Sequence, residues 1–244
     1  MTRNWIRKSH RWLGLLFSLT ALMSAGSGVL HTVMTRTQAP PPSARPSGGG
    51  LDAAAIRIPI ADAVAKLPAG TKASAVNVRT ISGEPWYQVF TGGPGVPAYV
   101  SAVDGRIDPT RDELYAAEIA TAFLGGKPVR KTGYLTAFNN EYINIFRILP
   151  VHRYDADDGK GTRVYVSTTT GSVTRHTDDG RQFEASAFTN FHKLGFIPNK
   201  DIRDWVQIIT TGGLFLLSLF GILLFFITRP RKRAASEPRR GDGW

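Results

Sequence analysis

The residues best able to do chemistry in this chain are five histidines: His10, His31, His152, His176 and His192. The chain has no cysteine. Disulfides, thiolate metal sites, Fe–S clusters, cysteine nucleophiles, c-type haem attachment and a lipidated N-terminal cysteine are therefore excluded. His10 and His31 stand 21 positions apart, or ~31 Å along a helix at ~1.5 Å per residue. At ~100° per residue they differ by about 60° in direction, so they fall on roughly one face. His192 lies 13 residues before Trp205, in the run Phe191-His-Lys-Leu-Gly-Phe-Ile. No HxH or HExxH spacing occurs, which leaves little basis for a nonhaem metal site.

An imidazole inside an apolar run is a functional candidate by default, and His31 is one. Haem iron takes axial imidazoles, and apolar helix ends can cover the macrocycle. The spacing predicts a haem b site near the outer membrane face, with His31 and His192 as axial ligands. No histidine follows His192, so His10 has no histidine partner on the second helix, and an inner haem needs His10 from a second subunit or a partner protein. Gly26, Gly28, Gly212 and Gly213 permit close approach of a flat ligand or another helix. The plainer readings make His10 a headgroup contact, His31 an interfacial hydrogen-bonding group and His192 a packing residue. His152 and His176, flanked by charge, read as solvated surface residues.

Two long apolar blocks must position these groups. Trp12–Val33 and Trp205–Ile227 contain no Lys, Arg, Asp or Glu, and each is long enough to cross a hydrocarbon core of about 30 Å. Trp5, Trp12 and Trp205 sit near the block ends, as interfacial aromatics do. Residues 1–11 hold Arg3, Arg7, Lys8 and Arg11 and no acid; residues 228–244 hold six bases against Glu237 and Asp242. Clustered bases stay cytoplasmic. The expectation is a bacterial inner-membrane protein with both termini inside and the central domain in the periplasm. The net charge of +11 is then mostly topology. No basic stripe with interleaved aromatics points to nucleic acid. Cleavage of the first block as a signal peptide, at Ser24-Ala25-Gly26, is the competing reading; the apolar run is longer than a typical h-region and continues past that site.

Between the blocks, residues 34–50 form a Pro/Gly linker. Two passes of a similar pattern follow. In residues 51–110, helical spacing over Ile58–Leu67 precedes strand-like runs at Ala75–Ile81, Trp86–Thr91 and Ala98–Val103, the last ended by the turn Asp104-Gly105. In residues 111–180, the amphipathic Asp112–Leu124 precedes strand-like Asn144–Leu149 and Thr162–Ser167, ended by Thr170-Gly171. The expected fold is α+β: two transmembrane helices, 12–33 and 205–227, flank a tandem of small helix-plus-antiparallel-strand modules. An interfacial segment, 181–204, leads into the second helix.

Five pieces of the sequence resemble the PepSY-associated transmembrane family, and their order is the specific part. They are Arg7-Lys8-Ser9-His10-Arg11-Trp12-Leu13-Gly14; WYQVF followed by YVSAVDGRI; Leu149-Pro150-Val151-His152-Arg153; Val164-Tyr165-Val166 with Thr170-Gly171; and Phe191-His192-Lys193-Leu194-Gly195-Phe196. The resemblance spans nearly the whole chain and implies tandem PepSY-like periplasmic modules. Some larger relatives, with four or more membrane helices, act as inner-membrane reductases in ferric-siderophore uptake, with haem on transmembrane histidines. The implied activity is haem-dependent electron transfer to a periplasmic acceptor such as a ferric chelate. Two helices form a thin scaffold for haem, so a homodimer or a larger membrane partner is expected. PepSY domains also resemble inhibitory pro-segments of peptidases. The alternative is thus a non-enzymatic, membrane-anchored module that binds an envelope protein or protease through a strand edge, or an accessory subunit of a transporter.

Other constellations are weaker. Asp155, Asp157 and Asp158 lack the bidentate acid of a calcium loop and read as a solvated turn, as does Asp178-Asp179-Gly180. Gly92-Gly93-Pro94-Gly95 has no following Gly-Lys-Ser/Thr and reads as a hairpin connection. No nicotinamide, flavin or Gly-x-Ser-x-Gly fingerprint is present, so electrons must come from a membrane donor or a partner.

Overall fold

The computed structural model describes residues 2–40, 50–92 and 95–228. The chain divides into two compact units. One comprises the chain up to Thr37 together with the chain from Glu184 onward; the other is Gln38–Phe183.

The first unit is a helical hairpin. Helix α1 runs Thr2–Thr37 and helix α5 runs Lys200–Thr228. Both hold stretches long and apolar enough to cross a membrane, Arg7–Thr37 and Lys200–Ile227, with almost none of their most apolar windows buried within the protein. Leu16, Leu22, Phe215 and Phe226 are all exposed. A surface this apolar is stable where the solvent is lipid. Three close approaches set the register: His10 lies against Gly221, Gly14 against Leu217 and Phe17 against Gly213. Rising numbers on α1 meet falling numbers on α5, so the helices are antiparallel. The sequence spans 12–33 and 205–227 sit inside longer helices. Residues 2–11, expected as a tail, continue α1, because nothing between Thr2 and Trp12 breaks a helix.

The second unit carries α2 (Ile60–Ala65), β1 (Ala75–Ile81), β2 (Glu84–Phe90), β3 (Ala98–Ser101), α3 (Arg111–Phe123), β4 (Val129–Leu135), β5 (Val151–Ala156), β6 (Arg163–Ser167) and β7 (Ser172–Thr177). Sheet order is β1-β2-β3 and β4-β5-β6-β7, antiparallel throughout. Strand alternation explains why β2 is buried along nearly its full length. Tyr87 and Val89 join Ala63 and Leu67 around α2. Trp86, on the opposite face, joins Ile81, Tyr99 and the α3 residues Tyr115, Ala116, Ile119 and Ala120. That same cluster takes Tyr154, Val164, Val166 and Val173 from the four-stranded sheet. One helix therefore closes a core shared by both sheets. The boundary expected at 110/111 separates two sequence patterns but not two folding units, because α3 packs on strands from both.

Two strands in the second module escape a reading by alternation. β4 (VRKTGYL) is charged and carries Gly133 at a register shift against β5. β7 follows the tight turn at Gly171, where φ is +66°, and exchanges backbone bonds with β6. Asn144–Leu149, expected as a strand, is instead a 3₁₀ turn over Asn144–Phe146. Arg147 then adopts φ +58° and Leu149-Pro150 is cis. Pro150 cannot donate a ladder hydrogen bond, and the strand begins at Val151. Tyr142, from the same connection, packs on Val151 and Tyr165 and covers the outer face of the sheet. The Asp178-Asp179-Gly180 turn is corrected to a helix start: Asp178 Oδ1 accepts from the Arg181 N–H at 2.8 Å and caps α4 (Asp179–Ala187). Within 155–161, Asp158 accepts from the Thr162 hydroxyl at 2.6 Å and from Lys160 N at 3.0 Å, closing the turn locally. The hairpin expected at 92–95 and most of the linker at 34–50 lie outside the described residues, as do the last 16 residues of the chain.

Candidate functional site around His31 and His192

The site forms where α1 meets a π-helical turn, Phe188–His192, that continues α4. Such turns recur at functional positions, because the extra residue per turn re-aims side chains. On α1 the polar residues Ser24, Ser27, His31 and Thr35 recur at spacings of three and four within an apolar run, so they share one face. Glu184, Phe188 and His192 recur every four residues on the other segment. The two stripes face each other.

His31 Nδ1 lies 2.7 Å from Glu184 Oε1. The Thr35 hydroxyl donates to the same carboxylate oxygen at 3.1 Å. Glu184 is 9% exposed, so its carboxylate needs these donors. The His31 ring packs on Phe188 with centroids 5.1 Å apart, and Phe188 stacks on His192 at 4.5 Å and 12°. His192 Nδ1 faces the Ser24 carbonyl at 3.3 Å, with the Ser24 and Ser27 hydroxyls at 3.3 and 3.4 Å. The Lys193 ammonium lies 5.6 Å from the Phe188 ring centroid. His31 and His192 are thus both brought into contact with one phenyl ring. His10 is at the other end of the hairpin, against Gly221. A Cβ at 221 would stand 3.4 Å from His10 Cε1, so the glycine leaves room for the ring. His10 Nδ1 is buried with no hydrogen-bond partner among the described residues.

Glu184 is the member that reading by residue type missed. Its signal was present: an acid four residues before Phe188 and eight before His192, opposite the polar stripe on α1.

Imidazole is a ligand type that haem iron takes. Metal-bound histidines commonly give one ring N–H to a carboxylate or carbonyl and bind through the other nitrogen. Both imidazoles here have Nδ1 against such an acceptor. Both imidazoles also pack on the ring of Phe188.

The two remaining histidines correct the surface expectation. His152 is 4% exposed, and its Nε2 lies 2.6 Å from Asp112 Oδ2. Tyr99 donates to Asp112 Oδ1 at 2.8 Å, and Gln88 Nε2 donates to Tyr99 at 2.7 Å and to the Thr168 carbonyl at 3.0 Å. Burial pushes the Asp112 carboxyl up, but hydrogen bonds from His152, Thr168 and Tyr99, with the His152 charge, outweigh it and hold the group below its ordinary value. Burial, then the neighbouring Asp112 charge, raises the Tyr99 phenol. This seam ties β2, β3, α3 and β5 together. His176 is half-buried against Phe123, with ring centroids 5.5 Å apart, and burial lowers its basicity.

Compared with family models, curated proteins and solved structures, the chain matches none.

Proposed function

We propose that this chain is an inner-membrane haem protein that passes single electrons outward to a periplasmic acceptor such as a ferric chelate, with His31 and His192 as ligands. The observation that carries the reading is the paired anchoring of the two imidazoles: Glu184 holds Nδ1 of His31, and the Ser24 carbonyl faces Nδ1 of His192. Carboxylates and carbonyls only accept hydrogen bonds. At His31 the acceptor favours a hydrogen on Nδ1, which leaves the Nε2 lone pair for a metal; at His192 the carbonyl favours the same form, while the Ser24 and Ser27 hydroxyls can also donate to Nδ1. Bound haem supplies a one-electron couple. The chain's own residues orient the ligands, screen them with Phe188 and surround them with apolar helix ends. The order of PepSY-like motifs and the two membrane-length helices also support the reading. His10, beside Gly221, is the candidate ligand for an inner haem completed by a second copy or a larger membrane partner.

The test is a reduced-minus-oxidised absorbance spectrum of the full chain purified in mild detergent after expression with ample haem. A b-type α-band that is lost in His31→Ala and in His192→Ala is expected. A wild-type chain without a band overturns the redox reading. It leaves the binding-module alternative, in which His31→Ala is tolerated and the periplasmic modules engage an envelope protein.

A further inference from the structure

We infer that Glu184 is the positioning residue of the outer site: it fixes His31 in the Nδ1–H form and gives it anionic character as a ligand. The inference rests on the haem reading for its consequence but not for its geometry. Glu184 Oε1 is 2.7 Å from His31 Nδ1. A carboxylate has no hydrogen to give, so the proton of this bond belongs to the imidazole. Thr35, one helical turn beyond His31, donates to the same oxygen at 3.1 Å. The carboxylate is therefore held from two positions on α1, and it is itself largely buried, while the His31 side chain is half exposed.

A histidine whose second nitrogen is bonded to a carboxylate is a more basic ligand, and its ring orientation is set before the metal arrives. His192 differs. Its Nδ1 faces an uncharged carbonyl and two hydroxyls at 3.3–3.4 Å. The two candidate ligands are unequal, and His31 is the stronger donor. A stronger anionic donor stabilises the ferric over the ferrous state, which lowers the potential of the couple.

The experiment has two arms on the full-length chain in detergent. The first needs no haem: ¹⁵N spectra of histidine-labelled protein report the tautomer of each ring. His31 is expected as the Nδ1–H form in the wild type, with that preference weakened in Glu184→Gln. A wild-type His31 in the Nε2–H form overturns the inference. The second arm uses haem b as probe. Glu184→Gln is expected to raise the midpoint potential and to weaken haem binding about ten- to hundredfold; Thr35→Val, which removes only the second donor, is expected to move both in the same direction by less. Unchanged potential and affinity in Glu184→Gln, with a normal wild-type band, overturn the action of Glu184 on the His31 ligand and leave the haem reading standing. Absence of the wild-type band sinks the haem reading and that effect on the ligand together, while the tautomer arm still decides the geometry.

Discussion

At the scale of single residues, the most exacting contact in the second unit is the buried pair Asp112–His152. Removing one partner of a buried hydrogen-bonded pair leaves the other's polar group unsatisfied and typically costs about 1–3 kcal/mol. Asp112→Ala is expected to destabilise the protein by that amount in denaturant melts of the full chain read by near-UV circular dichroism. The Asp112 carboxyl is held below its ordinary 3.8. A carboxyl with a depressed folded value contributes stability that is present above the unfolded value and lost as pH falls through the folded one. The melting temperature should therefore drop on acidification below about pH 4, and the drop should be shallower in Asp112→Asn. An equal slope in the variant would remove Asp112 as the cause. Neither partner announced itself in sequence. Asp112 reads as a favourable acid in the first turn of a helix, and His152 reads as a surface residue among charges. They lie 40 positions apart, and only the packing of α3 on β5 joins them.

At the scale of elements, α1 and α5 depend on a ring seated over a glycine. A Cβ at position 213 would clash with the Phe17 ring, so Gly213→Leu must displace the ring or part the helices. Overpacking of this kind costs about 1–3 kcal/mol. Thermal melts in detergent should show that loss, and Phe17→Ala should recover most of it in the double variant. Additive losses would show that the two positions do not touch. The long helices were legible from unbroken apolar runs, and α3, β1, β2 and β3 from periodicity. β4 and β7 were not. Their side chains are mixed, and what makes them strands is the backbone bonding that β5 and β6 offer at each edge. The misread strand at 144–149 has the same origin: an apolar run of strand length lacks a strand's backbone where Arg147 turns left-handed and a proline follows.

At the scale of the whole molecule, the distribution of bases predicts that both ends face the cytoplasm. The absence of cysteine makes this directly measurable. In intact cells with a permeable outer envelope, a membrane-impermeant thiol reagent should label Lys127→Cys in the second unit and spare Lys8→Cys in α1. The opposite pattern would invert the topology and place the proposed electron acceptor on the wrong side. By itself the sequence determined the two membrane-length helices, the helix-then-strands pattern between them, and the histidines at both ends of the first apolar block. These depend on local composition and short periodicities, which the chain carries whatever its fold. Only the tertiary structure decided that α3 welds the two patterns into one core, that Asp112 meets His152, that Glu184 meets His31, and that Phe188 packs on both His31 and His192. Those facts depend on which distant faces pack together, and no single stretch of sequence encodes a distance between stretches.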